Sequence, residues 1–471
     1  MIAKLRITRS NHARSSVLPA ILFFVGAVFL VAGCSTGESE IENLNAGKAE
    51  ASSDRRGFKN VVIFLVDTLR ADRLGSYGYD RDTSPNIDAF AADAVLFERA
   101  FSVSPWTRTS VASMFTSMYP VAHACQDKDD LAADALVMMA EILKANGFKT
   151  GGFSTNISVS DKFNMTQGFD EFVYFERETW FADHPGKPDP GYVPIEGMMS
   201  AALNWLLDVG DQPFFFYFHS TDPHWQYRPP AQFALWGEQQ LGDLYDGEVR
   251  YTDYYFQEVV DHLSRLGKLD ETLIIFTADH GEELFEHGGH GHGHTLYNEL
   301  LQVPLIIRHP GLQAGRLSEI VRLIDVLPTI IDMFALEPGD ALIQGRSLMP
   351  LLLGRADQAP QEQFVLAEVM YPSKIEGMSL EADGWKLIRT IEMQPNRGFP
   401  RGKRDAWEIY DMSRDPGEQE NVVRFNPETL ETTSKQLEAL RNKFDVSGLE
   451  GKDADLDEET REALRSLGYV E

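Results

Sequence analysis

Acidic residues and histidines follow three strongly apolar runs of the sequence. Asp67 follows NVVIFLV; His219, Asp222 and His224 follow PFFFYF; Thr277, Asp279 and His280 follow LIIF. In a parallel sheet the carboxyl ends of neighbouring strands meet at one edge, so we expect these side chains to converge. Carboxylates and imidazoles buried side by side need a cation, and their oxygen and nitrogen donors suit Ca²⁺, Mn²⁺ or Zn²⁺. The pattern therefore predicts a divalent metal site.

A Gly/His-rich segment continues from the third run. The residues FTADHGEELFEHGGHGHGH (276–294) contain five of the twelve histidines of the chain. Such a segment can supply metal ligands and substrate contacts, or it can be an ordinary loop. The residue types alone leave both interpretations open for the histidines that follow His280.

A hydroxyl-rich segment, SPWTRTS (104–110), precedes a predicted helix. Apolar residues recur at helical spacing from Val111 to Met118, so Thr107 lies at or just before the helix N-terminus. One interpretation is that Thr107 caps the helix. The other is that a metal ion and the positive end of the helix activate its hydroxyl as a nucleophile. The neighbouring Arg108 could then bind a tetrahedral oxyanion with its guanidinium.

Strand-like and helix-like segments alternate from Phe58 onward, which predicts an α/β fold with a mainly parallel sheet sandwiched by helices. The predicted strands are 61–66, 148–153, 213–218, 273–276 and 303–307, and the predicted helices are 136–146, 198–209 and 246–266. Short strand candidates at 364–369, 386–391 and 407–410 predict a small C-terminal antiparallel sheet. The charged segment 426–470 is predicted to form a solvated surface helix.

The net charge of −29 excludes nucleic acid and anionic membrane surfaces as favoured partners. The N-terminal region is different, because four basic residues precede an apolar stretch that ends in Val-Ala-Gly-Cys34. This pattern is typical of an export signal and resembles a bacterial lipobox, in which the cysteine carries lipid. An uncleaved anchor helix is the alternative. We expect an exported lipoprotein of the cell envelope, attached to the membrane through this lipid only. Ser35 weakly favours the outer membrane.

These observations predict four regions. They are a lipoprotein signal peptide (1–33), a polar flexible tether (34–57), a catalytic domain (58–350) and a C-terminal subdomain with its surface helix (351–471).

Four segments, in this order, resemble landmarks of the sulfatase family, which belongs to the alkaline phosphatase superfamily. They are NVVIFLVDTLRADRLGSYGYDRDTSPNIDAF, SPWTRTSVASMFTSMYP, TDPHWQYRPP and FTADHGEELFEHGGHGHGHTLYNELLQVPLII. The segment WEIYDMSRDPGEQENVV (407–423) resembles the C-terminal subdomain of the family. The resemblance implies an alkaline phosphatase-like fold and a metal-dependent ester hydrolase.

The resemblance also implies roles for individual residues. Asp67, Asp279 and His280 match metal ligands of the family. Thr107 stands at the position of the nucleophile, which would also bind the metal. His224 and His292 match histidines that contact substrate. His294 is the alternative to His292, because the repeated Gly-His leaves the register open. Asp222 and His294 remain candidates for a second site or a substrate contact, and His287 and His290 are expected to be loop residues.

Three differences from the family pattern bear on the chemistry. Thr107 replaces the Cys or Ser that sulfatases convert to formylglycine, Thr68 stands where a second acidic residue is usual, and Thr155-Asn156 replace a Lys and a His. We therefore expect a covalent Thr107 intermediate and a preference for phosphate esters, with a small molecule, glycan or lipid as the esterified group. The alternatives are a sulfate-ester hydrolase with an unmodified Thr, a phosphoglycerol or phosphoethanolamine transferase, and a non-catalytic glycan-binding surface lipoprotein.

Overall fold

A mixed eight-stranded sheet forms the centre of the protein in this computed structural model. The residues that the structure describes are 58–187, 189–358, 363–371, 375–394, 402–446, 448–449 and 451–467. The predicted signal peptide and tether, including Cys34, lie outside these residues. Among the described residues, no helix is long and apolar enough to cross a membrane.

The strands alternate with helices along most of the chain. The strands are β1 (Asn60–Val66), β2 (Val95–Phe101), β3 (Asp130–Leu131), β4 (Lys149–Ser154), β5 (Glu171–Tyr174), β6 (Phe214–Ser220), β7 (Thr272–Ala278), β8 (Glu283–Leu284), β9 (His290–Gly291), β10 (Gln302–Arg308), β11 (Gly315–Arg322), β12 (Phe364–Tyr371), β13 (Ile375–Ala382), β14 (Trp385–Met393), β15 (Lys403–Asp411) and β16 (Lys452–Asp453). The α-helices are α1 (Pro85–Ala92), α2 (Thr107–Thr116), α3 (Pro120–His123), α4 (Met139–Ala145), α5 (Arg177–Asp183), α6 (Glu196–Asp208), α7 (Leu241–Arg265), α8 (Asn298–Leu301), α9 (Val326–Phe334), α10 (Met349–Leu352), α11 (Pro427–Phe444) and α12 (Glu458–Ser466).

The central sheet has the strand order β11-β2-β10-β7-β1-β6-β4-β5. Five of its neighbouring pairs are parallel, which confirms the predicted mainly parallel sheet. Strand β10 is the exception, because it runs antiparallel to both β7 and β2. Its apolar sequence, VPLII, predicted a buried strand but carried no information about direction.

Aromatic side chains link the three middle strands. All seven residues of β1 are buried, and the Phe64 ring stacks on Phe218 of β6 at 4.7 Å and on Phe276 of β7 at 5.9 Å between ring centroids. A continuous apolar strand of this kind requires cover on both faces. Truncating Phe64 to Ala would leave a cavity and cost about 3–5 kcal/mol. The packing therefore fixes the strand ends that carry the polar residues.

The second sheet, β12-β13-β14-β15, is fully antiparallel, as predicted for the C-terminal region. Two other predictions need correction. The described residues of the segment 426–470 form two helices, α11 and α12, with the short strand β16 between them. Helix α11 also packs onto the second sheet through the buried side chains of Leu437 and Phe444, so it is amphipathic and only partly solvated.

Candidate active site

Strand register brings two of the predicted metal ligands together. Val66, the last residue of β1, pairs with Ser220 of β6 on one side and with Ala278 of β7 on the other. Asp67 and Asp279 therefore leave neighbouring parallel strands at the same level. Ligand atoms of Asp67, Asp279 and His219 all lie within 4.8 Å of one another, and all three side chains are buried. The site lies at the carboxyl edge of the sheet, as expected for an open α/β fold.

The His280 ring joins this group. Its Nε2 atom lies 3.6 Å from Oδ1 of Asp67 and 3.6 Å from Oδ2 of Asp279. Its Nδ1 atom pairs with the carbonyl oxygen of Gly281 at 2.9 Å, which orients the ring. With Nδ1 occupied by that carbonyl, Nε2 is available as a metal ligand.

Thr107 is the first residue of α2, and Trp106 occupies the capping position. The interpretation of Thr107 as the helix cap is therefore wrong. Its hydroxyl lies 3.3 Å from Nε2 of His280 and 3.5 Å from Oδ1 of Asp67. The helix N-terminus thus presents a buried hydroxyl directly to the acidic and imidazole groups.

The pKa values of the two carboxylates in the site shift in opposite directions. Burial raises the pKa of Asp67, but the nearby imidazoles of His219, His224 and His280 outweigh burial and hold this pKa well below its usual range. Burial and the charge of Asp67 raise the pKa of Asp279 far above the ordinary carboxylate value. Burial lowers the pKa of His280. Two close carboxylates that shift in opposite directions are what a bound divalent cation would stabilise.

Polar atoms in the site fit such an ion. Within the described part of the chain, His219 Nε2 and Asp279 Oδ2 are buried and lack a hydrogen-bond partner. Buried polar atoms are rarely left in this state without an ion or a water to satisfy them. The Thr68 side chain supplies no ligand, because its hydroxyl donates to the carbonyl oxygen of Pro223, although its main-chain N–H donates to Asp279 Oδ1 at 3.2 Å. Asn156 instead contacts the site and donates from Nδ2 to Asp67 Oδ2 at 2.5 Å.

Two further histidines border the group. The ring centroid of His292 lies 4.6 Å from that of His280 and 4.9 Å from that of His224. Nδ1 of His292 pairs with Oε1 of Glu282 at 2.9 Å. Burial lowers the pKa of His224 to about 4, and burial together with the charge of His280 holds the pKa of His292 well below its usual range.

The other histidines of the Gly/His-rich segment have different partners. His294 pairs through Nε2 with Oε2 of Glu283 at 2.8 Å, and His287 pairs through Nδ1 with Oε1 of Glu299 at 2.6 Å. The His290 ring lies beside Trp225, at 5.2 Å between centroids. The structure therefore brings His292, and not His294, into contact with His280.

Arg108 and Asp222 make contacts that the sequence did not anticipate. The Arg108 guanidinium lies 3.4 Å from the centre of the Phe163 ring and donates to the carbonyl oxygen of Asp127 at 3.3 Å. These contacts anchor part of the guanidinium, and the expected oxyanion contact of Arg108 stays a prediction. Asp222 accepts a hydrogen bond from the main-chain N–H of Ile195 at 2.7 Å, and burial raises its pKa to about 7. It supports the chain before α6 and is not part of the Asp67–His219–Asp279 group.

His219 was expected at a strand end but was not predicted as a metal ligand, and Glu282 was not predicted as a site residue. His219 lies inside β6, in an unbroken apolar run that shows no alternation between faces. Glu282 is one of several acidic residues that follow His280, so its residue type did not distinguish it. Its nearness to His292 in the sequence was the one available signal.

The chain is similar to known proteins along most of its length. A family model described as Sulfatase matches residues 59–336, and one described as N-sulphoglucosamine sulphohydrolase, C-terminal, matches residues 286–444. Arylsulfatase A of Homo sapiens is 26% identical over 459 residues, covering 82% of this chain and 88% of that protein. N-acetylgalactosamine-6-O-sulfatase of Bacteroides thetaiotaomicron is 22% identical over 524 residues, covering 90% and 99%. The crystal structure of the phosphonate monoester hydrolase of Agrobacterium radiobacter has a similar fold, with a TM-score of 0.68, 18% identity, and coverage of 82% of this chain and 96% of that one.

Proposed function

Because this chain belongs to the sulfatase family of ester hydrolases, we propose that it cleaves a sulfate or phosphate ester with Thr107 as the nucleophile. One observation carries this proposal. The Thr107 hydroxyl is buried at the start of α2, within 3.5 Å of both Asp67 Oδ1 and His280 Nε2. A threonine hydroxyl at a helix N-terminus, facing a carboxylate and an imidazole, is a suitable geometry for attack on a tetrahedral centre.

The metal site consists of Asp67, Asp279, His280 and Thr107, with His219 as an additional ligand. A divalent cation bound by these residues supplies Lewis-acid stabilisation of negative charge and lowers the pKa of a neighbouring hydroxyl. The donor set contains two imidazole nitrogens besides the carboxylate oxygens. Calcium prefers six to eight oxygen ligands, whereas zinc and manganese accept such a mixed set. We therefore expect Zn²⁺ or Mn²⁺ at this site.

The protein groups perform the reaction in two displacements. Thr107 Oγ1 has lost its proton to solvent before the ester binds, and it attacks the sulfur or phosphorus atom as an alkoxide. A bond forms to this oxygen and the bond to the leaving oxygen breaks, and the second displacement releases Thr107 as the same alkoxide. Glu282 and His292 share a proton, because burial raises the pKa of the acid and lowers that of the imidazole. As charge develops on the leaving oxygen, His292 donates this proton to it. Positioned acid catalysis of this kind is worth about 10²–10⁴-fold in rate.

The second displacement regenerates the enzyme. The Glu282–His292 pair, now deprotonated, takes a proton from water as the water attacks the Thr107 ester, and sulfate or phosphate is released. His224 lies 4.9 Å from His292 between ring centroids and is positioned to hold a non-bridging oxygen. An imidazole kept neutral by burial donates a hydrogen bond without adding a charge.

Thr107 favours phosphorus over sulfur as the centre of attack. Threonine cannot form the aldehyde hydrate that expels sulfate from the usual sulfatase intermediate, so a Thr107 ester must be released by direct attack of water. The phosphonate monoester hydrolase with a similar fold is consistent with phosphorus chemistry, and the sulfatase relatives are consistent with sulfate. Among the relatives, the N-acetylgalactosamine-6-O-sulfatase acts on a sugar ester, so we propose a glycan-type substrate.

The N-terminal sequence supports a location for this activity. We propose that Cys34 carries lipid and that the enzyme works in the cell envelope beyond the cytoplasmic membrane. Radiolabelled palmitate incorporated into the wild-type chain, and absent from Cys34→Ser, would test this proposal.

An ester panel tests the function. Purified wild type and Thr107→Ala would be assayed on matched aryl sulfates, phosphate monoesters and phosphodiesters. We expect turnover by the wild type, a loss of about 10³-fold or more in Thr107→Ala, and a mass increase on the Thr107 peptide after rapid acid quench. Full turnover by Thr107→Ala of every ester that the wild type cleaves would refute the proposal.

A further inference from the structure

An aromatic group with one exposed and two half-buried members lies beside the active site. It comprises Trp225, Phe285 and His290, which we call the aromatic rim. The His290 ring lies between the other two, with ring centroids 5.2 Å from Trp225 and 5.5 Å from Phe285. None of these three side chains has a role in the hydrolysis described above.

The aromatic rim is attached to the catalytic histidines through the chain. Trp225 directly follows His224, and His290 precedes His292 by two residues. Strands β8 and β9 form a short antiparallel pair in which Leu284 faces His290, so Phe285 begins the loop of this hairpin. A group bonded to the leaving oxygen near His292 would therefore extend over these rings.

Phe285 is unfavourable for the fold in two respects. Its side chain is 56% exposed, and its backbone has a φ of 78°, in the left-handed region that a bulky residue rarely adopts. Glycine or asparagine would fit this backbone with less strain. A strained and exposed aromatic residue beside an active site points to contact with a ligand.

The shape and polarity of the rim indicate the ligand. The ring planes of Trp225 and Phe285 are inclined to that of His290 by 57° and 41°, so a flat aromatic ring cannot stack on all three. A puckered sugar ring presents C–H groups in several directions. Next to Trp225, the exposed Gln226 and Arg228 share a hydrogen bond of 3.3 Å and offer polar groups to sugar hydroxyls.

We infer that the aromatic rim binds the sugar ring of the leaving group and so selects sulfate or phosphate esters of sugars over small alkyl or aryl esters. This inference rests on the proposed ester hydrolysis at Thr107. Phe285 and Trp225 are then specificity-determining residues, and they do not touch the reacting atoms.

Phe285→Gly is the sharpest test, because it relieves the backbone strain while removing the ring. Kinetics would be measured on sulfates, phosphates and methyl phosphodiesters of hexoses and N-acetylhexosamines, and on the matching 4-nitrophenyl esters. We expect KM for the best sugar ester to rise about 10-fold with kcat unchanged, KM for the 4-nitrophenyl ester to change less than 2-fold, and Tm to stay equal or increase. Trp225→Ala should give the same split, and Phe425→Ala, which removes a Phe that is 82% exposed elsewhere, should leave both substrates unaffected.

Four results of these measurements would contradict the inference. A lower Tm with unchanged KM would show that Phe285 has only a structural role, and an equal rise in KM for both substrates would remove the sugar assignment. Wild type that cleaves aryl esters but no sugar ester would overturn the inference and the proposed glycan-type substrate, and would leave the proposed ester hydrolysis at Thr107 intact. Wild type inert on all esters would overturn both.

Discussion

The Nε2 atom of His219 lies 3.6 Å from Oδ2 of Asp67, with both side chains fully buried. Nδ1 of the same ring pairs with the hydroxyl of Tyr217 at 2.9 Å, and this contact fixes the orientation of the ring. A histidine held at one nitrogen by a neighbouring group and directing the other toward a carboxylate is a common arrangement of metal ligands. His219 therefore extends the predicted ligand set with a second imidazole.

Removal of His219 should weaken metal binding. We expect wild type to be purified with about one equivalent of Zn²⁺ or Mn²⁺, and His219→Ala to bind the same ion about 10-fold or more weakly. Elemental analysis after dialysis against a graded chelator series would measure this difference. His123→Ala is the matched control, because His123 is equally buried but pairs with Ser113 of α2 and is not a member of the Asp67–His219–Asp279 group. Equal metal retention by wild type and His219→Ala would remove His219 from the site.

Metal removal should also reduce stability. Asp67 and Asp279 face each other without a cation once the ion is gone, and this repulsion is relieved only by protonation or unfolding. We expect chelator-treated wild type to lose several degrees in Tm at pH 8, and added Zn²⁺ or Mn²⁺ to restore the loss. Asp279→Asn should show little response to chelator. A Tm that is indifferent to chelator in the wild type would argue against a resident metal.

His292 and His294 should differ in their effect on catalysis. His292→Ala removes the group paired with Glu282, so kcat should fall about 10²–10⁴-fold for esters with poor leaving groups. The fall should be smaller for 4-nitrophenyl esters, which need little protonation as they leave. His294→Ala breaks the contact with Glu283 and should change kcat by less than about 3-fold. A reversed order would place His294 in the site.

The pair of His287 and Glu299 should make stability depend on pH. Burial lowers the pKa of His287, but the hydrogen bond and charge of Glu299 outweigh burial, and the folded-state pKa lies above its ordinary value. Such a group stabilises the fold below its unfolded pKa, and the contribution is lost as pH rises through the folded pKa. The difference in Tm between wild type and His287→Gln should therefore shrink between pH 6 and pH 8, as measured by calorimetry. A difference that grows over this range would contradict the pairing.

Much of the fold and the outline of the site could be predicted from sequence for a clear physical reason. Asp67 and Asp279 follow apolar runs, and parallel pairing necessarily brings the ends of such strands together. His219 was not assignable in the same way, because every residue of FFFYFHS is buried and the side chains show no alternation. The direction of β10 was equally hidden, since a buried strand has the same composition in either direction.

The Gly/His-rich segment shows a second limit. His292 and His294 are separated by one glycine, so either could reach His280 by spacing alone. The choice depends on which histidine pairs with Glu282 and which with Glu283, two residues that are adjacent in the sequence at the start of β8. Only tertiary packing distinguishes these pairings. The roles of these residues in catalysis stay predictions until the variants are measured.

A buried ion pair should be important for the attachment of the C-terminal sheet. Lys386 of β14 lies 2.7 Å from Oε1 of Glu418, with both side chains 1% exposed, and its Nζ also donates to Oδ1 of Asn298 at 2.6 Å. Asn298 donates its main-chain N–H to Oε2 of Glu418 at 2.6 Å, so the pair joins the second sheet to the start of α8. Removing one partner leaves the other charge buried without a counter-charge. We therefore expect Lys386→Met to lower the unfolding free energy by about 3–5 kcal/mol.

The double variant Lys386→Met/Glu418→Gln should be more stable than Lys386→Met alone, because it removes both charges from the interior. The exposed pair Lys435–Glu431, with side chains 71% and 69% exposed, provides the matched control, and Lys435→Met should change the unfolding free energy by less than about 1 kcal/mol. Urea denaturation of the four proteins would measure these differences. If Lys386→Met were as mild as Lys435→Met, the buried pair would not hold the second sheet to the start of α8.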